Sequence, residues 1–285
     1  MIDEIAEEIR EMQTHSSSVV AVKAARALQD LTDRDFATVE EYLRALERNS
    51  KALRRANPSH ASLQTTQREI VSKLRDGDFD SVTTAKNRTN ELIDEIIETI
   101  ETAKKHAASN AAELIHDDMT VLTHDFSTTV LEAFRQATDD TSFDVFVTEA
   151  RPRYLGRKMA RNVGELDNIT PTLIVDNASG YYLSECDLIL VGMDCIVNEK
   201  LYNRIGTYPL AATAQYEDVE FVVTGSNAKI VESGFRFEND FRSISEVIRE
   251  PPEGFRVENP SYDATPLTLV DKIVTNQGIR DVTNE

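Results

Sequence analysis

The chain has 285 residues, 40% of them apolar and 28% charged, with a formal net charge of -19. That length can bury a sizeable core in one large or two ordinary domains, while the acidity argues against direct nucleic-acid binding, which needs clustered Lys and Arg against the phosphate backbone. No run of 18 or more apolar residues is present and the opening MIDEIAEEIREM is acidic and amphipathic, so neither a membrane span nor a secretion signal is expected and the protein is predicted to be cytoplasmic.

Up to about residue 117 the pattern is helical and almost free of Gly and Pro. Helices are predicted over Ile2 to Met12, Ser17 to Asp30, Val39 to Asn49 and Ser62 to Asp76. In NELIDEIIETIETAKKH, Leu92, Ile93, Ile96, Ile97 and Ile100 form one apolar stripe. ANPSHAS and DGDFDS punctuate these helices. After about residue 118 the period changes to short apolar runs: Met119 to His124, Phe143 to Ala150, Thr170 to Asp176, Asp187 to Gly192 and Val219 to Gly225. Helical stretches, Ser127 to Thr138 and Tyr154 to Leu166, lie between them. Alternation of this kind predicts a parallel sheet covered on both faces. The fold class is therefore α/β, an N-terminal helical subdomain (residues 1–117) followed by a Rossmann-like parallel-sheet domain (residues 118–285). Arg249 to Pro266 is the longest loop-like stretch, a functional or interface element.

In an open parallel sheet, ligands bind outside the carboxyl ends of the strands. The predicted strands end in Thr123-His124-Asp125, Glu149-Ala150-Arg151-Pro152, Asp176, Asp194 and Thr224-Gly225-Ser226. Asp194 could act as a general acid or base if burial raised its pKa, or it could cap the following turn. Asn203 and Arg204 precede a Gly206-Thr207 turn that opens a helix, the groups a phosphate needs; the same turn also begins ordinary helices. Arg151 could hold a phosphate or pair with an interior carboxylate. Cys186 and Cys195 have no metal or redox spacing and read as buried thiols. His15, His60, His106, His116 and His124 are scattered, so no metal site is expected. GxGxxG, GxxxxGK[ST] and GxSxG are all missing, and no cofactor is expected. Arg outnumbers Lys about two to one, which with abundant Asp suggests a surface adapted to high salt; an ordinary acidic protein is the plainer alternative.

The segments VLTHDFSTTVLEAF, VFVTEARPRYLGRKMA, LILVGMDCIV, NRIGTYPLAATA, VEFVVTGSNAKI and ENPSYDATPLTLVDKIVTNQG span residues 121–278. In this order they resemble the family that joins the alpha, beta and delta subunits of translation initiation factor 2B to the isomerases of ribose-1,5-bisphosphate and methylthioribose-1-phosphate. The resemblance implies a homodimer or higher homo-oligomer and a sugar-phosphate or nucleotide pocket between the two domains. In the isomerase branch a Cys in a THC context works with an Asp in a GAD context; the Asp maps onto Asp194 and the Cys onto Asp125. A carboxylate cannot supply a thiol's chemistry. Asn57 stands in NPSHASL where the isomerases carry a phosphate-binding Arg, and an RGA loop has no counterpart in THSSSVVAVKAARAL. Arg204 replaces a usual Lys, which is not an equivalent cation at a phosphate. The stretch from Asp194 to Asn203 is one residue shorter than the family pattern, and its usual Asn-Gly pair reads Asn198-Glu199.

Two functions follow. The first is a non-catalytic relative of the regulatory subunits, an interaction protein with a translation-factor partner and a phosphorylated small-molecule ligand. The second is a divergent aldose-ketose isomerase using Asp125 and Asp194 as a carboxylate pair. In both, Arg151, Asn203, Arg204, Gly206 and Thr207 are the candidate ligand-binding residues.

Overall fold

The computed structural model describes residues 2–11, 17–231, 237–250 and 253–282. The chain divides into two compact units, Met1–Thr102 and Ala103–Glu285. The first contains helices α1 (Ile2–Arg10), α2 (Ser17–Gln29), α3 (Val39–Ala56), α4 (Ala61–Arg75) and most of α5 (Val82–Ala112). Met12, His15 and the first three residues (14–16) of the segment aligned with the RGA loop lie outside the described residues; the rest of that segment lies in α2. The α3 helix begins where Thr38 accepts from the Glu41 N–H at 3.1 Å while the Glu41 carboxylate accepts from the Ala37 N–H, a reciprocal cap. It runs past the predicted Asn49 because Leu53 and Ala56 continue its buried face. The stripe Leu92, Ile93, Ile96 and Ile97 enters the same core as Leu28, Leu46, Leu63 and Ile70. The helical pattern of the sequence ends near residue 117, whereas the compact units part inside α5, which nothing interrupts between residues 82 and 112.

The second unit is built on a seven-stranded sheet. Its strands are β1 (Thr120–Thr123), β2 (Phe143–Thr148), β3 (Ile169–Ile174), β4 (Leu188–Gly192), then β7 (Glu220–Thr224), β9 (Lys272–Thr275) and β10 (Gly278–Asp281). They lie in the order β10-β9-β7-β4-β1-β2-β3, and only the β9–β10 pairing is antiparallel. Helices α6 (Thr128–Ala137) and α7 (Leu155–Val163) cross over between strands, as does a short α8 (Ser179–Tyr182). Successive residues of each central strand point to opposite faces. Val121, Leu188 and Leu190 enter one apolar core with Val130, Phe134 and Met159. Leu122, Ile189 and Val191 enter the other with Leu210 and Ala211. This double burial is why the strands read as unbroken apolar runs.

Besides β9 and β10, three further short strands were not expected. β5 (Cys195–Val197) and β6 (Lys200–Arg204) form a hairpin directly after β4, and β8 (Tyr262–Pro266) adds to β6 as a separate antiparallel sheet. β8 ends the stretch that the sequence presents as a loop. Among the described residues no helix is long and apolar enough to cross a membrane.

Candidate functional site

Chain order and spatial order part company at β1. From there the chain builds outward through β2 and β3, then returns to lay β4 on the other side of β1. A crevice opens at such a switch point beyond the carboxyl ends of the two strands. Asp125 follows β1 and Asp194 follows β4, so topology brings together two acids that are 69 residues apart.

Between them lies Arg204, the last residue of β6. Its Nε is 3.3 Å from Asp125 and 3.8 Å from Asp194, and the guanidinium carbon sits 4.9 Å from the centre of the Tyr262 ring. Burial disfavours the charge on Arg204, but Tyr262, Asp194 and Asp125 together raise its pKa. For Asp125 burial dominates and pushes the carboxyl above its ordinary range, opposed by Arg204 and His124. Lys229 is also buried; its Nζ donates to the Met193 carbonyl at 2.8 Å, and burial lowers its pKa while Asp194 pulls the other way. Asp194 therefore faces a guanidinium and does not cap a helix.

His124 is pinned at both ring nitrogens. Nε2 donates to the Ile205 carbonyl at 2.8 Å, and Nδ1 is hydrogen-bonded to the Thr148 hydroxyl at 2.6 Å. Gly206 packs close to this ring with φ +107°, and a Cβ there would come within 2.7 Å of it. Asp125, Ala150 and Tyr154 also hold left-handed backbone, with φ of 64°, 56° and 58°. Such outliers gather where surrounding structure imposes them, and an Asp tolerates the conformation better than most residues.

The Gly206-Thr207 turn opens α9 (Thr207–Glu217) as the sequence predicts, but its anion seat is engaged from within. Asp263 accepts from the Gly206 N–H at 2.7 Å and the Tyr208 N–H at 3.0 Å. Thr207 donates to the Arg204 carbonyl at 2.7 Å, and the Asn203 amide donates to Thr207 at 3.2 Å. Asn203, Gly206 and Thr207 thus build the turn that aims Arg204.

Asp125, Arg151 and Arg204 line one pocket together with Arg153, Arg242, Glu246 and Asn259. It is narrow: the centres of water-sized molecules have about 30 Å³, room for roughly two waters. Arg151 is exposed at the rim, where its guanidinium carbon lies 5.4 Å from the Tyr154 ring centre, and the peptide to Pro152 is cis. The Ala150 and Arg151 N–H groups donate to Asp176 at 2.7 and 2.8 Å, so the third strand's terminal acid holds the second strand's loop. Asn57 lies in the first unit as the cap that ends α3. Sequence reasoning did not single out Arg153, Arg242, Glu246, Tyr262 or Asp263, whose stretches lack a helical or strand period.

Neither cysteine offers a replacement thiol. Burial pushes both Cys186 and Cys195 up to about 12, and only the thiolate is a nucleophile. Native protein at pH 8 is expected to resist iodoacetamide at both positions, with alkylation appearing only on unfolding, as peptide mass mapping would record. Among the described residues no group of three or more His, Cys, Asp or Glu could hold a metal ion.

Residues 13–281 match the initiation factor 2 subunit family. The chain belongs to that family. It is 30% identical over 283 residues to the ribose 1,5-bisphosphate isomerase of Haloferax volcanii, covering 96% of this chain and 86% of that one. Among solved structures, translation initiation factor eIF-2B of Pyrococcus horikoshii superposes with a TM-score of 0.84 at 28% identity, over 98% of this chain and 96% of the other. A chain of the tetrameric eIF2B-beta2-delta2 complex from C. thermophilum gives 0.74 at 20% identity, over 98% and 90%. Family members of this fold thus carry both isomerase and initiation-factor names.

Proposed function

We propose that this family member is a non-catalytic regulatory or interaction protein whose pocket takes a phosphorylated sugar or nucleotide-type ligand. The observation that supports it most is the position of Arg204, 3.3 Å from Asp125 and 3.8 Å from Asp194. Where the resemblance places a catalytic thiol there is a carboxylate, and its charge is already matched inside the protein. A carboxylate set against a guanidinium cannot supply that thiol's chemistry. Arg151 and Arg204 are the cations offered to a phosphate, and Asn203, Gly206 and Thr207 orient the second of them. The partner is a second copy, as homodimer or larger homo-oligomer, or a translation factor; the support is that a chain of this fold occurs in the tetrameric eIF2B-beta2-delta2 complex.

A second reading, an aldose-ketose isomerase run by Asp125 and Asp194, is favoured by one observation: Asp125 is buried with its pKa raised while Asp194 remains partly exposed. Two carboxyls in unlike environments can divide acid and base roles. Incubation with ribose 1,5-bisphosphate and with methylthioribose 1-phosphate, at low and at high salt, decides between them. No ketose is expected in either. Turnover that disappears in Asp194→Asn would overturn the non-catalytic reading.

A further inference from the structure

The same pocket holds a second set of charges that Arg204 does not account for. Arg242 donates from both Nε and Nη2 to one oxygen of Glu246 at 3.1 Å. The other oxygen of Glu246 accepts from the Asn259 amide at 3.1 Å, and Arg153 Nε lies 3.8 Å from the oxygen that Arg242 holds. One carboxylate therefore collects two guanidinium groups and an amide, a donor set suited to a phosphoryl group. These side chains are only 21%, 15% and 22% exposed at Arg153, Arg242 and Glu246, so solvent screens them less than surface pairs. In a chain of net charge -19, a lining with Arg151, Arg153, Arg204 and Arg242 against Asp125 and Glu246 runs against the composition of the whole.

The segment that brings Arg242 and Glu246 to the pocket is fastened by polar contacts. Arg242 N–H donates to the Asn259 carbonyl and Ser261 N–H to the Asp240 carbonyl, each at 2.8 Å; Asn239 exchanges two hydrogen bonds with the Tyr262 backbone. Beyond them the chain makes a single 3-10 turn, Ile244–Glu246, capped by Ser243. Its apolar neighbours turn outward: Phe241 is 60% exposed, Ile244 44% and Val247 41%. Without apolar burial to hold it, such a turn opens at low cost, and its ties to the pocket are polar: Glu246, and the Ser243 carbonyl, which accepts from the Asn259 amide at 3.0 Å.

We propose that Arg153, Arg242 and Asn259 form an anion subsite for the phosphoryl group of a small-molecule ligand, and that Glu246 occupies this subsite until the ligand displaces the Ser243 to Glu246 turn. The proposal rests on reading the pocket as a phosphorylated-ligand site. A phosphoryl group carries nearly two charges and three acceptor oxygens, more than the single carboxylate that leaves. Occupancy by Glu246 lowers the apparent affinity by the fraction of molecules in which the subsite is closed.

The test is calorimetric titration of the full chain with inorganic phosphate and, in a separate arm, ribose 5-phosphate. Glu246→Gln keeps the side chain's size and removes its charge, and it is expected to bind both about tenfold more tightly, as for a subsite closed in about nine molecules of ten. Arg242→Gln is expected to abolish the gain. Stronger binding of ribose 5-phosphate than of inorganic phosphate identifies an organic phosphate as the ligand. Hydrogen exchange supplies a readout that needs no variant: phosphate is expected to speed exchange at the Glu246 and Val247 amides of the native chain. If Glu246→Gln fails to fold, by its far-ultraviolet circular dichroism, the exchange result decides alone. An unchanged affinity in folded Glu246→Gln, no binding in any arm, or unaltered exchange at saturating phosphate overturns the proposal. Isomerase turnover would remove the non-catalytic reading and leave the Glu246 result standing.

Discussion

Replacing Arg204 by methionine is expected to cost about 3–5 kcal/mol of stability, while Asp125→Asn costs less than about 1 kcal/mol. The asymmetry comes from what each change leaves behind. Without Arg204, the buried Asp125 and the neighbouring Asp194 face one another with no cation between them, and an uncompensated buried charge is among the few causes of losses this large. Without the Asp125 charge, Arg204 keeps Asp194 at 3.8 Å and the Tyr262 ring. Chemical denaturation of both variants and of the double variant checks this. The double variant is expected to recover part of the Arg204→Met loss, because its remaining buried side chain is neutral. Equal losses in the two single variants would show that Arg204 does not bridge the acids.

The pH dependence of the same pair has a defined sign. Burial raises the Asp125 carboxyl above its ordinary value, with Arg204 and His124 opposing. The folded protein therefore holds this proton more tightly than the unfolded chain does. Stability from this group is present below the ordinary carboxylate value of about 4 and is lost as pH rises through the raised one. Relative to Asp125→Asn, the native chain is expected to be at its best in acid and to lose ground toward neutrality. A slope of the opposite sign would mean that attraction to Arg204 outweighs desolvation.

How much of this was legible in the sequence varies with the range of the interaction. β1, β2, β4 and β7 could be read because burial on both faces leaves no polar interruption. β5, β6 and β8 have three to five residues each, and their pairing joins positions as distant as Arg204 and Tyr262, for which no local period exists. Asp125 and Asp194 were singled out as strand-end acids, yet only the sheet order shows why they meet. The Gly206-Thr207 turn is where the sequence puts it, but the β6–β8 register sets Asp263 opposite Asn203, close enough to engage the helix N–H groups offered to a phosphate. Arg242 and Glu246 were invisible because their segment is neither helix nor strand over most of its length.

Gly156→Ala is expected to be the most damaging single-methyl addition near the site. Gly156 lies in the first turn of α7, where that helix crosses the end of β2. A Cβ built there falls 1.7 Å from the Thr148 carbonyl oxygen and 2.8 Å from its carbon. Both are backbone atoms of a paired central strand, so no side-chain rotation relieves the clash. Ordinary overpacking costs about 1–3 kcal/mol because neighbours can give way; here α7 has to lift, drawing Leu155, Met159 and Val163 from the core they fill. A loss of at least about 3 kcal/mol is expected. The displacement also reaches the site, since the Thr148 hydroxyl is hydrogen-bonded to His124 Nδ1 at 2.6 Å, and the imidazole nitrogen resonances report whether that bond survives. Gly180→Ala is the control: its Cβ would meet only the Thr213 methyl, at 3.8 Å, an ordinary contact expected to leave stability within about 0.5 kcal/mol of the native chain. A melting-temperature drop that is equal in the two variants would show that α7 does not rest on the Thr148 backbone.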